Sequence, residues 1–233
     1  MSNVPHYLPS SRKGTNLGHA QLIDGIIHDG LWDIYNNQHM GMCAEKCAKD
    51  YDISRAEQDA YALESYKRAQ DAIAAGVFDE EIEPLEVRLQ RRETLVVRAD
   101  EEPSAVDFER IPTLRPAFTS NDGTVTAANA SSLNDGAAAM VIMSEEGAKR
   151  LGLKPLARIL GYGDAEQDPV DFTTTPSLAV PVALKNAGVE MSDIDFHEIN
   201  EAFSVVVSIF FVGKLLRKLL RKLLTNSIQT CGI

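Results

Sequence analysis

Strand-like and helix-like segments alternate through the second half of this 233-residue chain, and that alternation predicts an α/β fold with layered sheets. Three observations carry the prediction. Residues 137–143 (AAAMVIM) are a continuous apolar run of strand length, as expected of a strand covered on both faces. Ser144 then supplies a helix cap, with Glu145 and Glu146 at the positive end of the helix dipole. The same order repeats downstream: residues 156–160 read as a strand, 177–187 as a helix closed by Gly188, and 194–199 as a third strand.

Upstream, residues 1–38 are rich in Gly, Pro, Asn and His without sustained periodicity, which predicts irregular structure with short helical pieces. Ser54-Arg55-Ala56-Glu57 is a capping box, in which the Ser54 hydroxyl and the Glu57 carboxylate each satisfy a free backbone N–H. Good helix formers follow, and Gly76 offers a left-handed stop, so a helix is predicted over about 54–75. Residues 80–98 partly alternate apolar and charged side chains, which suits solvent-facing strands. Pro103, Pro112 and Pro116 punctuate a connecting segment.

The formal charge is −11, yet residues 214–222 hold five bases and no acid. Removing those five from 23 leaves 18 bases against 34 acids, a net −16 for the rest of the chain. An acidic body of this kind excludes broad nucleic-acid binding, which needs a clustered positive field. Three cysteines with no CxxC pair fit a reducing intracellular compartment better than a disulfide framework. The Asn129-Ala130-Ser131 sequon reads as chance, since nothing near Met1 resembles a secretory signal. No apolar run approaches the roughly 20 residues needed to span a bilayer, so the body is expected to be soluble.

Gly161-Tyr162-Gly163 lacks the third glycine of a phosphate loop and reads as a turn. His39, Cys43 and Cys47 would share one helix face, a spacing compatible with zinc but more readily with small cysteines facing a core. The densest segment is 121–137, NDGTVTAANASSLNDGA. Small residues with Asn, Asp and Gly before a buried strand let backbone approach a ligand closely, and they serve tight packing equally well.

Residues 121–139, NDGTVTAANASSLNDGAAA, resemble the stretch that leads into the last strand of the first core domain of thiolases, enzymes that make and cleave 3-oxoacyl-CoA. Met1–Pro5, Asp29–Leu31 through His39–Gly41, and Asn200-Glu201-Ala202-Phe203 agree in the same order, so the resemblance spans about residues 1–207. His39-Met40 and the alanines around Asn129 are most similar to the short-chain, acetoacetyl-CoA type, its mitochondrial form in particular. The resemblance implies a layered αβαβα fold, incomplete here, with an inserted α+β loop domain. It implies a loop domain over 1–120, the end of the first core domain over 121–150, the start of the second over 151–207, and a tail outside the family over 208–233.

The same resemblance implies site roles. Ser131 would contact pantetheine, while Tyr66, Val106, Asp107 and Arg110 would meet the nucleotide end of CoA. Ala105 stands where the mitochondrial type has Arg, which removes one phosphate contact. A potassium ion would be held by Tyr66 and the carbonyls of Ala127, Ala128 and Ala130, oxygen ligands suited to a hard cation. His39 and Met40 would border the acyl pocket, and Phe203 the catalytic cavity. Asn200 would order a water that stabilises the enolate oxygen, an oxyanion-hole role, and it serves equally as a cap between strand and helix.

Acetyl-CoA or acetoacetyl-CoA, and other thiolase subunits in a homo-oligomer, are the partners so implied, in an intracellular setting, mitochondrial rather than cytosolic. Thiolase chemistry needs a nucleophilic Cys activated by a His, and a second Cys to move the α-proton. Their segments are expected before Met1 and after residue 207, so this chain alone is expected to be inactive. Cys231 lacks the following glycines of the second Cys and is read as coincidence. After residue 207 a KLLR repeat takes over abruptly, as an altered reading frame or unspliced sequence would produce. On a helical wheel its leucines oppose its bases, a membrane-surface pattern, but a segment without selected function is the preferred reading of residues 214–224.

Overall fold

The computed structural model describes residues 1–9, 11–14, 17–88 and 93–212. The KLLR repeat and Cys231 lie outside them. In chain order the elements are β1 (His6–Tyr7), β2 (Ile23–Asp24), β3 (Trp32–Asp33), β4 (Gln38–His39), α1 (Met40–Tyr51), α2 (Arg55–Ala74), β5 (Leu85–Arg88), β6 (Thr94–Val97), α3 (Glu102–Ala105), α4 (Glu145–Leu151), α5 (Pro176–Ala187) and α6 (Ser204–Val212). The strands pair as three antiparallel two-stranded sheets, β1 with β2, β3 with β4 and β5 with β6. The chain divides into two compact units.

The first unit joins residues 1–40 to 133–193. Its sheets set His6 opposite Asp24 and Trp32 opposite His39, with a π-helical turn at Ile27–Leu31 between them. The Ser144 hydroxyl accepts from the Gly147 amide and opens α4, as its sequence predicts. Gly188, at φ 68°, closes α5 in the left-handed conformation predicted for it. The strands expected at 137–143 and 156–160 are not formed. Neither run makes a ladder, and Met140, Val141 and Leu156 are 81%, 86% and 105% exposed. An apolar run becomes a strand only beside another strand that takes its backbone hydrogen bonds, and among the described residues none lies alongside. The residues just after the second run do meet a helix: Gly161 and Gly163 lie so close to α5 that a Cβ on them would sit 2.7 Å from the Ala187 nitrogen and 2.5 Å from that of Ala183.

The second unit joins residues 41–132 to those from 194 onward. The α2 capping box forms as expected, with the Ser54 amide donating to Glu57 at 2.7 Å and the Glu57 amide to the Ser54 hydroxyl at 3.2 Å. On α1 the positions i, i+1, i+4 and i+5 (Cys43, Ala44, Cys47 and Ala48) are buried, so the cysteine spacing is a core face. Gly41 is required here because a Cβ would meet the Phe118 ring at 2.2 Å. Val205, Val206, Val207 and Ile209 of α6 complete the core with Ile111 and Val125. The solvent-facing strands expected within 80–98 are β5 and β6, which pair antiparallel with Leu85 opposite Val97 and with both faces largely solvated. The third expected strand, 194–199, likewise makes no ladder, and Phe196 is 70% exposed, for the same reason as the other two. No helix among the described residues is long and apolar enough to cross a membrane.

Candidate functional site

Helix α2 buries polar side chains, Gln58 and Asp59, where an ordinary amphipathic helix would bury apolar ones. Buried charge is tolerated only when paired and hydrogen-bonded, and Asp59 is both. One oxygen accepts from Arg55 Nε at 2.7 Å, and the other from Asn129 Nδ2 at 2.9 Å. Arg55 reaches on to the carbonyls of Ile111 (3.0 Å) and Leu114 (3.1 Å), which fixes the segment after α3.

The small-residue turn is held at every step. Asn129, 2% exposed, accepts from the Thr126 amide at 2.8 Å and donates to the Thr124 carbonyl at 2.9 Å. Glu45 on α1 accepts from the Thr124 amide and hydroxyl and from the Val125 amide, all between 2.8 and 3.0 Å. The carbonyls of Ala127, Ala128 and Ala130 accept no hydrogen bond from the described residues. The turn is then stitched to the start of α6. The Ser131 amide donates to the Ala202 carbonyl at 2.9 Å, the Ser204 amide to the Asn129 carbonyl at 2.8 Å, and Ala130 and Phe203 face each other as an isolated antiparallel bridge. Asn200 is exposed immediately before this junction, whereas Phe203 is buried. Between them Glu201 accepts hydrogen bonds from Tyr61 and, at 2.6 Å, Ser65, both on α2.

Further along α2, Tyr66 donates to Glu102 at 3.1 Å, and Gln70 to the Pro103 carbonyl at 2.6 Å, which seats α3 on the helix. Burial, and then the charge of Glu102, push the Tyr66 phenol up to about 12. Val106 follows α3, and Asp107 accepts from the amides of Glu109 (3.1 Å) and Arg110 (3.4 Å), a turn that leaves Arg110 exposed. His39 stands in β4 opposite Trp32, its imidazole pKa lowered by burial, and Met40 opens α1.

Thus Ala127, Ala128, Ala130, Ser131, Asn200 and Phe203 converge on one junction of the second unit. Tyr66, Val106, Asp107 and Arg110 cluster around α3 in the same unit, and His39 and Met40 belong to the first. Sequence reasoning missed Glu45, Asp59, Asn129, Tyr61, Ser65 and Glu201 as the groups that hold these residues. Asn129 and Glu201 lie within the segments it quoted, but their partners are 70 and 140 positions away, a distance no local pattern reports.

Comparison with known proteins carries the matter further. The family description "Thiolase, N-terminal domain" matches residues 1–146, and "Thiolase, C-terminal domain" matches residues 153–223. This chain belongs to the thiolase family. It is 54% identical over 207 residues to an acetyl-CoA acetyltransferase of Schizosaccharomyces pombe, an alignment covering 88% of this chain and 52% of that protein. It is 52% identical over 207 residues to the mitochondrial acetyl-CoA acetyltransferase of Mus musculus, covering 89% and 48%. The acetyl-CoA acetyltransferase of Bacillus anthracis superposes with a TM-score of 0.84 at 41% identity, over 91% of this chain and 53% of that one. The Acat5 thiolase of Ascaris suum, solved in complex with coenzyme A, superposes with a TM-score of 0.83 at 44% identity, over 93% and 54%. The α/β thiolase fold is therefore present, and the chain spans about half the length of the curated relatives it matches.

Proposed function

We propose that this chain is the CoA-binding and enolate-stabilising part of an acetyl-CoA C-acetyltransferase, whose reaction is the Claisen condensation of two acetyl-CoA to acetoacetyl-CoA or the reverse thiolysis. The observation that carries this reading is the junction of 129–131 with 202–204, which holds Ser131 beside the segment bearing Asn200 and Phe203. In this reading Ser131 meets pantetheine, while Tyr66, Val106, Asp107 and Arg110 meet the nucleotide end. Asn200 orders the water that stabilises an enolate oxygen. Phe203 flanks the catalytic cavity. The uncommitted carbonyls of Ala127, Ala128 and Ala130 fit a hard cation such as potassium, and the Tyr66 oxygen keeps a lone pair for it while donating to Glu102. The loop domain is assigned to 1–120, the two core-domain parts to 121–150 and 151–207, and the setting to mitochondria in a homo-oligomer.

Catalysis by the chain alone is not part of this proposal. Cys43 and Cys47 are 0% and 4% exposed in the core face of α1, where no thioester reaches them. The test is direct. The pure chain is expected to bind CoA in a calorimeter, to leave acetoacetyl-CoA uncleaved, and to retain no radiolabel from acetyl-CoA. Thiolysis or covalent label refutes the inactivity, and absence of CoA binding refutes the site.

A second reading, association with an intact thiolase subunit, is supported by the exposed apolar run at 140–143. Co-purification of the tagged chain with full-length thiolase tests it, and a chain that stays alone refutes it.

A further inference from the structure

Glu201 stands one residue after Asn200, and a carboxylate at that place is a hazard for the chemistry proposed above. An anion directed toward a developing enolate oxygen repels it, so the negative charge must be turned elsewhere and held. The structure shows where it goes. Tyr61 and Ser65, four positions apart and therefore on one face of α2, both donate hydroxyl hydrogens to Glu201, one to each carboxylate oxygen. Arg68, one further turn along and held by Glu64 at 2.8 Å, is close enough to act electrostatically on the Tyr61 phenol. The segment is bound on its other side by the Ser131 amide at Ala202 and by the Ser204 amide at Asn129. These two sets of bonds fix the chain over 201–204, immediately after Asn200, whose side chain is exposed.

We infer that Glu201, with Tyr61 and Ser65, is a positioning group that anchors the Asn200 segment to α2 and directs its own charge away from the enolate. It rests on the reading of Asn200 given above. The donors are dependable: burial first, then the bond to Glu201 and its charge, hold the Tyr61 phenol well above the ordinary tyrosine range, so it stays protonated at any physiological pH. Bonds from two hydroxyls to a carboxylate are charge-assisted and stronger than neutral ones. Loss of both frees the segment without removing any apolar contact of the core.

Two measurements on the full 233-residue chain test this. Hydrogen exchange read by mass spectrometry, with Glu201→Ala, Glu201→Gln and the double variant Tyr61→Phe with Ser65→Ala, reports the anchor itself. The expected result is exchange of the Ser131 and Ser204 amides, which bond across the junction beside Glu201, faster by about tenfold in Glu201→Ala and in the double variant, less in Glu201→Gln, with α2 unchanged. The near-ultraviolet enolate band of bound acetoacetyl-CoA reports the function. It is expected to weaken both in Glu201→Ala and in Asn200→Ala, while CoA affinity holds in Glu201→Ala and Glu201→Gln recovers part of the band. Unchanged exchange at the Ser131 and Ser204 amides overturns the anchor, and equal loss of protection throughout α2 overturns it in favour of a merely structural role. Lost CoA affinity in step with the band does the same. If the wild-type chain binds neither CoA nor acetoacetyl-CoA, the reading of the site fails and the exchange data alone decide the anchor.

Discussion

Replacing Asn129 by Ala removes a buried side chain that joins the small-residue turn to α2, and the structure sets the size of the effect. The substitution orphans the Thr126 amide, in a residue 0% exposed, at a cost of about 1–3 kcal/mol. It also strips a charge-assisted donor from the buried Asp59 carboxylate, worth about 1.5–3 kcal/mol. The Thr124 carbonyl loses a bond as well, but a carbonyl left with other neighbours costs less than an amide. A water entering the vacated space offsets part of the total, which leaves about 3 kcal/mol, on the order of a hundredfold in an opening equilibrium. Hydrogen exchange by mass spectrometry suits the question, because it reads local opening at low concentration and requires no cooperative melt. Peptides covering 124–131 and 203–206 should lose on the order of a hundredfold in protection, and β5–β6 should lose none. The reasoning is refuted if Asn129→Ala stays within about threefold of wild type across 124–131, for the buried amide would then have another partner.

Three further outcomes are expected. Glu102→Gln removes the second cause of the raised Tyr66 phenol but leaves burial, the first, so its titration by ultraviolet absorbance should fall from about 12 yet stay above 10.0, and an unchanged midpoint would show that Glu102 does not act on it. Burial holds His39 and His197 below their ordinary 6.5, so the unfolded chain binds more protons in the window just below that value; stability is then complete above about 6.5, falls as pH drops through the folded-state values, and the double change to Gln should flatten exchange protection measured between about pH 5 and 8. The exposed run at 140–143 should limit solubility, at about 25 cal/mol per Å² of apolar surface left in water, so Val141→Lys should raise the soluble fraction in a sedimentation assay, and a sharp cooperative melt of the wild-type monomer would contradict the premise.

Sequence by itself determined what depends on neighbours a few positions apart. The Ser54–Glu57 box opens α2, Ser144 opens α4, Gly188 closes α5, and solvent-facing strands form at β5 and β6, because each rests on groups close along the chain. The segments 121–139 and 200–203 were legible as family residues for a related reason: a turn that must admit a ligand tolerates few side chains. Tertiary structure decided the rest. Whether 137–143, 156–160 and 194–199 become strands depends on an edge to pair with, and a strand's hydrogen bonds, unlike a helix's, all belong to another segment. The grip of Glu45, Asp59 and Asn129 on the 124–131 turn, and of Tyr61 and Ser65 on Glu201, joins residues 70 to 140 positions apart, and such bonds exist only once the chain has folded around α2.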